Sequence, residues 1–341
     1  MMGKKVYVAS PVDPTLEVYR QIREEGYEVS FGRPPWVGDG KYTEDEILES
    51  CRDVDAVISS PRIPLSGKVL KSATKLSCIS QAGVGVDKID IRTASRLGIL
   101  VANAPIEWDV MNVAEHTVAF ILALAKKLKQ IPIFLERGIS LWDKRMDTIY
   151  LGKGSCIGII GLGRIGSKVA ELLRPFGVKL LGYDPYVPKD KAKRLDVKLV
   201  DLKTLLKESD FVTIHVPLTS ETHHLIGARE LALMKKTSYL INTSRGGVVD
   251  EAALIAALRD KKIAGAALDV VEDEPLKPSH PLFHFENVLL TPHIAGRSTE
   301  SAKESARMAV KNCLKMLKGI VPESVVNPEA IPKWRERLGK G

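Results

Sequence analysis

The chain has 341 residues, of which 45% are hydrophobic and 27% are charged, and its formal net charge is +8 at pH 7. This composition excludes a disordered chain, and the length favours two compact domains with separate cores. The lysines and arginines are spread along the chain, which argues against a nucleic-acid partner. A basic surface can still attract an acidic substrate or an anionic cofactor.

Membrane and metal partners are not expected either. The longest markedly apolar stretch, residues 118–125, is far shorter than the roughly 20 residues that a membrane helix needs. The start of the chain has no signal-peptide pattern. The cysteines are too scattered for a zinc or redox motif and favour a reduced, cytoplasmic setting; they are Cys51, Cys78, Cys156 and Cys313.

Short β-branched runs alternate with helical patterns over the first hundred residues, which is typical of a parallel sheet built from βαβ units. Strands are predicted at residues 6–8, 27–30, 56–59, 76–80 and 99–102, and helices at residues 16–25 and 43–51. A hinge at Asn103-Ala104-Pro105 precedes a helix predicted over residues 112–128. Because that helix is apolar all round its middle, we expect it to be buried between domains or between subunits.

A second series of strands and helices begins at Ser155 and makes a complete doubly wound set. Its strands are predicted at residues 157–160, 179–183, 211–215, 239–242, 264–270 and 288–290. A last helix, over residues 299–317, follows the finished sheet. We expect it to pack on the first domain, which would make that domain discontinuous.

A glycine-rich turn follows the first strand of the second series. Gly161, Gly163 and Gly166 form G-x-G-x-x-G between a buried strand and a helix that ends at Gly177. The first glycine permits the tight turn, the second lets the backbone approach a pyrophosphate, and the third allows close packing of helix on strand. The N–H groups at the helix start then hold the phosphates, so the pattern predicts a dinucleotide site.

Asp184 ends the next strand, about 20 residues past the glycines, where a carboxylate accepts both ribose hydroxyls of the cofactor. The same charge repels the 2′-phosphate of NADP, so NAD is the predicted cofactor and NADP is disfavoured. A helix-capping or turn role ahead of Pro185 stays open for this residue.

Three segments near the carboxyl ends of late strands, residues 242–247, 268–275 and 291–296, carry the remaining chemistry. A carbonyl that is reduced needs a proton as the hydride arrives, which histidine supplies near neutrality, and His293 fits. A carboxylate on the other ring nitrogen fixes the tautomer, the role we assign to Glu274. Arg245 offers a planar fork of donors for a substrate carboxylate and also polarises the carbonyl. Taken singly, these residues could instead be a core histidine, a loop end and a surface ion pair.

The order and spacing of these motifs resemble the D-2-hydroxyacid dehydrogenase family over nearly the whole chain. The family includes glyoxylate and hydroxypyruvate reductases, D-3-phosphoglycerate dehydrogenase, D-lactate dehydrogenase and formate dehydrogenase. The resemblance implies hydride transfer between NAD and carbon 2 of a small 2-hydroxy acid, and a homodimer. We therefore predict two doubly wound α/β domains with a cleft between them. Residues 106–292 are the Rossmann NAD-binding domain, and residues 1–105 and 293–341 are a flavodoxin-like substrate domain.

The resemblance also implies further cofactor contacts. Arg164 and Ile165 are expected at the pyrophosphate, His215 on the adenosine side and Asp269 at the nicotinamide amide. The remaining cofactor residues that it implies are Pro217, Thr243, Ser244, Arg245, His293 and Gly296. The other histidines are expected to be structural or on the surface; they are His116, His223, His224, His280 and His284.

A glycine-rich turn in the first domain, residues 81–87, resembles the family loop whose backbone amides bind the substrate carboxylate. Val84 and Gly85 are the predicted contacts, beside Arg245 and His293. A merely tight strand-to-helix connection is the alternative, because glycine is common in turns.

The substrate is open in several respects. A small 2-oxo acid such as glyoxylate or hydroxypyruvate leads, and 3-phosphoglycerate follows because Arg62 and Arg297 could serve a phosphate. We expect no regulatory domain after Leu317, and Glu274 argues against formate dehydrogenase. Residues 106–109 form an unusual hinge loop that can reshape the pocket. A different class also stays open, because some relatives act as NADH-sensing co-repressors with the same fold.

Overall fold

The computed structural model describes residues 3–37 and 42–339. It divides into two compact units: unit 1 comprises Met1–Asp109 and Ser298–Gly341, and unit 2 comprises Val110–Arg297. The sequence placed these divisions after residues 105 and 292. Residues 1–2, 38–41 and 340–341 of the predicted substrate domain lie outside the described part of the chain, and the assignment of substrate binding to unit 1 stays a prediction.

Unit 1 begins with a five-stranded parallel sheet in the order β2-β1-β3-β4-β5. This order is that of flavodoxin-like sheets. Its strands are β1 Lys5–Val8, β2 Glu28–Phe31, β3 Ala56–Ser59, β4 Cys78–Gln81 and β5 Leu100–Ala102. Its first helices are α1 Arg20–Glu24, α2 Glu44–Cys51, α3 Gly67–Ser72 and α4 Ile91–Leu97.

Unit 2 contains a seven-stranded parallel sheet in the order β12-β11-β10-β9-β6-β7-β8, which is the Rossmann order with one strand added at the edge. Its strands are β6 Cys156–Ile160, β7 Lys179–Tyr183, β8 Lys198–Leu199, β9 Phe211–Ile214, β10 Tyr239–Asn242, β11 Gly265–Leu268 and β12 Val288–Leu290. Helix α5, Glu107–Ala125, begins three residues before unit 2, and the other helices are α6 Gln130–Glu136, α7 Arg164–Leu173, α8 Lys189–Arg194, α9 Leu202–Glu208, α10 Ala228–Leu233 and α11 Glu251–Arg259.

The chain then returns to unit 1 with α12 Thr299–Leu317 and α13 Ile331–Leu338. The apolar face of α12 packs with the side chains of the five-stranded sheet in one buried cluster. Ser80 in β4 donates a hydrogen bond of 2.8 Å to the carbonyl oxygen of Ala309 in α12. Helix α13 buries Trp334 completely in the same cluster.

The central strands form where the sequence has short, continuous apolar runs. β6, β9 and β10 are buried along their whole length, as strands covered by helices on both faces must be. Helix α7 turns Val169, Ala170 and Leu173 into the core of unit 2. Because all these strands are parallel, the carboxyl ends of β6, β9, β10, β11 and β12 lie at the same edge of the sheet.

The start of the long helix was predicted wrongly. Helix α5 begins at Glu107, not at residue 112, so residues 107–109 are its first turn and not a hinge loop. Glu107 and Asp109 are favourable there because carboxylates stabilise the positive end of the helix dipole. Glu115 and Ala119 of helix α5 are exposed in the single chain, and the burial of this helix between domains or between subunits stays a prediction. Strand β8 and helices α6 and α13 have no counterpart among the predicted elements.

Within the described residues, no helix is both long enough and apolar enough to cross a membrane. All four cysteines are buried as free thiols.

Candidate active site

The backbone of the glycine turn in unit 2 requires glycine at two of its three glycine positions. Gly161 has φ of +90°, and a Cβ atom there would lie 2.6 Å from the carbonyl oxygen of His215. A Cβ atom at Gly166 would lie 1.9 Å from the carbonyl oxygen of Gly161. Any side chain at either position would therefore separate helix α7 from strands β6 and β9.

The middle glycine faces open space instead. A Cβ atom at Gly163 would meet no described atom within 4 Å. Arg164, which is exposed, and Ile165, which is half-buried, are the first two residues of α7. The first N–H groups of a helix have no acceptor within the helix, and they carry its positive dipole end. This open cradle of N–H groups fits the pyrophosphate of a dinucleotide.

Asp184 holds the glycine turn and the turn after β7 together. Its Oδ2 accepts a hydrogen bond from Leu162 N at 2.8 Å, and its Oδ1 accepts from Tyr186 N at 2.8 Å and Val187 N at 3.1 Å. The turn role is thus present. A carboxylate has about four lone-pair positions, so acceptor capacity remains for a ribose hydroxyl.

His215 follows β9, beside the point where the strand order reverses between β6 and β9. Its Nε2 lies 3.0 Å from Thr213 Oγ1. Its Nδ1 is buried and has no partner among the described residues. Burial lowers the pKa of His215 to about 3, so the ring is neutral at pH 7. A buried ring nitrogen with spare hydrogen-bonding capacity at the switch point fits a cofactor-binding residue. Pro217, two residues on, is exposed.

His293 and Glu274 form the predicted pair. His293 Nδ1 and Glu274 Oε2 are 2.7 Å apart, and the side chains are 48% and 37% exposed. Glu274 Oε1 also accepts from Val271 N at 3.3 Å. Because Nδ1–H donates its hydrogen bond to the carboxylate, Nε2 is the ring atom that can exchange a proton with a bound molecule.

The backbone of His293 is left-handed, with φ of 56°. This conformation costs about 1 kcal/mol or more for a residue other than glycine and persists where surrounding contacts impose it. One such contact is the hydrogen bond of 2.8 Å that His293 N donates to the carbonyl oxygen of Asp269. Strain of this kind is frequent at active sites.

Asp269 organises the segment that carries His293. The residue is 3% exposed, and its carboxylate accepts from Thr291 Oγ1 at 2.5 Å, Ile294 N at 2.8 Å and Ala295 N at 2.9 Å. The sequence predicted a contact with the nicotinamide amide at this residue. The hydrogen bonds of Asp269 give it an anchoring role in the structure. Its contact with the nicotinamide amide stays a prediction.

Arg245 follows β10 in a segment that Asn242 holds in place. Asn242 Nδ2 donates to the carbonyl oxygen of Arg245 at 2.9 Å, and Asn242 Oδ1 accepts from Ser244 N at 3.0 Å. The guanidinium Nη1 donates to the carbonyl oxygen of Ser244 at 2.8 Å. The hydroxyl of Thr243 bonds to that of Thr117 and the hydroxyl of Ser244 donates to Asn242 Oδ1, and the cofactor contacts of both residues stay predictions.

Gly246 allows the Arg245 segment to approach the Glu274 segment. A Cβ atom at Gly246 would lie 1.8 Å from the carbonyl oxygen of Val271 and 2.5 Å from Glu272 N. The two backbones are therefore in direct contact. This contact brings the segments of Arg245 and Glu274 side by side at the ends of β10 and β11.

Residues 118–295 match the family description "D-isomer specific 2-hydroxyacid dehydrogenase, NAD binding domain". The chain is 42% identical over 330 residues to D-3-phosphoglycerate dehydrogenase of Methanocaldococcus jannaschii, an alignment that covers 96% of this chain and 60% of that protein. It is 41% identical over 344 residues to glyoxylate reductase of Thermofilum pendens, which covers 97% and 96%. D-Lactate dehydrogenase from Aquifex aeolicus, solved with NAD and lactic acid, is 30% identical with a TM-score of 0.80 and covers 97% and 98%.

The chain belongs to the D-isomer specific 2-hydroxyacid dehydrogenase family. Members are NAD-dependent oxidoreductases that act on 2-hydroxy acids. The predicted family and the two parallel-sheet α/β domains are thus confirmed. The chain spans 60% of the length of the Methanocaldococcus protein and nearly all of the Thermofilum protein.

The predicted substrate loop lies in unit 1. Gln81 Nε2 donates to the carbonyl oxygen of Gly85 at 3.0 Å, and Asn103 Nδ2 donates to that of Val84 at 2.9 Å. Val84 is 44% exposed. The two carbonyl groups are therefore held by unit 1, and the role of the two amides stays a prediction.

Of the histidines that were expected to be structural or on the surface, His116 contacts the segment that carries His293. His224 pairs with Glu272, and His280 lies 2.9 Å from Glu251 Oε1. His116 Nε2, however, lies 3.1 Å from Thr291 Oγ1, beside the Asp269 carboxylate. No periodicity in the sequence marks this contact; one helical turn before His116, Asn112 Nδ2 donates to the carbonyl oxygen of Gly296 at 3.3 Å.

Protonation of His215 should weaken the fold as the pH falls. Its folded pKa of about 3 lies below its ordinary value of 6.5, so the unfolded chain binds the proton more readily. The contribution is complete above pH 6.5 and is lost toward pH 3, at no more than about 1.4 kcal/mol per pH unit. Urea unfolding of the cofactor-free protein at pH 7 and pH 5 measures it.

The matched variant for this measurement is His215→Gln, which cannot titrate. Its free energy of unfolding should fall less between pH 7 and pH 5 than that of the native chain, because the carboxylates are common to both. Equal losses in the two chains would show that His215 is solvated and protonated in the folded state.

Proposed function

We propose that this chain reduces a small 2-oxo acid to the D-2-hydroxy acid with NADH, and that His293 delivers the proton. The observation that carries the proposal is the 2.7 Å bond between His293 Nδ1 and Glu274 Oε2. Glu274 fixes the tautomer and stabilises the ring when it is charged, which leaves the Nε2 proton for the substrate oxygen. When bound, NADH supplies the hydride.

Arg245 is the proposed ligand of the substrate carboxylate. A guanidinium presents two parallel donors to a carboxylate, a geometry that an ammonium group cannot reproduce. Its segment is fixed by Asn242 on one side and by the close approach of Gly246 to Val271 on the other. Val84 and Gly85 are proposed to donate backbone N–H groups to the same carboxylate on the resemblance of their loop alone.

The favoured substrates are glyoxylate and hydroxypyruvate. The chain covers nearly the full length of the Thermofilum glyoxylate reductase, which supports this choice. 3-Phosphohydroxypyruvate, the oxidised partner of 3-phosphoglycerate, is the alternative. The identity to the Methanocaldococcus phosphoglycerate dehydrogenase favours it, and Arg62 and Arg297 are exposed cations that could meet a phosphate.

Replacing His293 should remove the proton donor without weakening NADH binding. We expect His293→Gln to lower kcat of reduction about 10²- to 10⁴-fold while the Kd of NADH changes little, because the proposed phosphate-binding N–H groups lie in α7. Stopped-flow turnover and fluorescence titration of NADH measure the two quantities. His284→Ala, at an exposed histidine in the same unit, is the control and should keep full turnover.

The pH dependence should identify the proton donor. Reduction needs His293 protonated and oxidation needs it neutral, so the rate of reduction should fall with rising pH while the rate of oxidation rises. His293→Gln should flatten both profiles. Opposite slopes in the native enzyme, or full turnover in the variant, would assign the proton to another group.

Asp184 is proposed to select NADH over NADPH. Asp184→Asn removes the charge that repels a 2′-phosphate; its single oxygen can still accept from Tyr186 N and Val187 N, while its NH2 group replaces the oxygen that accepts from Leu162 N. We expect the ratio of kcat/KM for NADH to that for NADPH to fall at least about tenfold, which corresponds to about 1.4 kcal/mol. An unchanged ratio would place cofactor selection elsewhere.

A homodimer is proposed through the part of unit 2 that follows α5. Leu141, Trp142 and Tyr150 are 73%, 93% and 74% exposed there, and large apolar side chains exposed within ten residues of one another in sequence support an interaction surface. Sedimentation should give twice the 37.4 kDa of one chain. Trp142→Glu should halve that mass, whereas Trp36→Glu, at a half-exposed tryptophan of unit 1, should leave it unchanged. A native mass of one chain would contradict the dimer.

A further inference from the structure

Helix α5 contacts both ends of the segment that carries His293. His116 Nε2 lies 3.1 Å from Thr291 Oγ1, two residues before His293. Asn112 Nδ2, one helical turn earlier, donates to the carbonyl oxygen of Gly296 at 3.3 Å. The segment is thus tied to a long helix on either side of its left-handed residue.

The direction of each hydrogen bond follows from counting protons. Asp269 Oδ1 already accepts from Ile294 N, and a carboxylate in such a position can only accept from the hydroxyl of Thr291 at 2.5 Å. Thr291 has a single hydroxyl proton, so toward His116 it must act as the acceptor. His116 therefore carries its proton on Nε2.

The His116 ring is held in place for this bond. It packs edge-to-face on Phe120, with ring centroids 4.4 Å apart and an interplanar angle of 74°. Burial lowers the pKa of His116, and the charge of Asp269 only partly opposes this effect. The ring is accordingly neutral at pH 7, and its one N–H is directed at Thr291.

We propose that His116 is a positioning residue, which acts through Thr291 and Asp269 to fix the backbone of residues 293–295. This inference rests on the proposed function, in which His293 moves the proton. Asp269 receives the Thr291 hydroxyl, the Ile294 and Ala295 amides, and, at its carbonyl oxygen, the His293 amide. Rotation of the Asp269 carboxylate would therefore move the backbone on which the imidazole stands.

A double-mutant cycle tests whether His116 acts through Thr291. We expect His116→Leu and Thr291→Val each to lower kcat about tenfold, the effect of one lost hydrogen bond to a charged network. The Kd of NADH should stay within about twofold, because the N–H groups of α7 are untouched. The double variant should be no slower than Thr291→Val alone, since both changes break one chain of contacts.

His116→Gln separates the hydrogen bond from packing. Its amide can donate to Thr291, so kcat should return to within about threefold of the native value, a cost of under 1 kcal/mol. Additive losses in the double variant, or equal turnover of the Gln and Leu variants, would overturn the proposal.

Nuclear magnetic resonance provides a readout that does not need turnover. Histidine labelled with ¹⁵N should show His116 as the neutral Nε2–H tautomer. The amide protons of Ile294 and Ala295 should shift in His116→Leu and stay in place in His284→Ala. An Nδ1–H or charged ring, or unmoved amides, would overturn the proposal. If the native chain reduces no 2-oxo acid, the proposed function fails while this measurement still decides the role of His116.

Discussion

The buried carboxylate of Asp269 is the constraint on which the candidate active site depends. A carboxylate removed from water is costly unless donors surround it, and Asp269 collects a hydroxyl and two backbone amides. All three donors come from residues 291–295, so satisfying this one group fixes the backbone around His293. The imidazole then stands within 2.7 Å of Glu274.

Parallel topology supplies the rest of the arrangement. Because every strand of the seven-stranded sheet runs the same way, the turn after β6, His215 after β9, Arg245 after β10 and Asp269 after β11 all leave the same edge. Close backbone contacts then set the spacing, at Gly161 against His215 and at Gly246 against Val271. The parallel sheet thus brings the candidate active-site residues to one edge without long-range side-chain contacts being needed for each of them.

Motifs that are local in sequence were predictable. The glycine turn, Asp184 and the strands around them follow from residues within about 30 positions of one another. His293 and Glu274 were paired by chemistry and family resemblance, and the structure places them in contact. Helix α12 was predicted with the bounds that the structure has, because its polar and apolar residues alternate with a helical period.

Contacts between distant segments were not predictable from the pattern. His116 and Thr291 are 175 residues apart, and nothing in a periodicity marks their meeting. The anchoring contacts of Asp269 reach residues only 22, 25 and 26 positions on, but they depend on the pairing of β11 with β12 and not on a sequence motif. The first turn of α5 was missed for a different reason: its acidic residues favour a helix start, but residues 106–109 were interpreted as an insertion in a hinge. Strand β8 has two residues, too few to show a strand pattern in the sequence, and it lies at the edge of the sheet beside β7.

The central claim is that these residues reduce a 2-oxo acid. The most direct measurement is the loss of NADH absorbance when the purified protein is mixed in turn with glyoxylate, hydroxypyruvate, pyruvate, 2-oxoglutarate and 3-phosphohydroxypyruvate. Rapid NADH oxidation with glyoxylate or hydroxypyruvate, giving the D-hydroxy acid wherever the product is chiral, is the result that this account predicts. Tight binding of NADH with no turnover of any of these acids would contradict it and favour a protein that senses the cofactor.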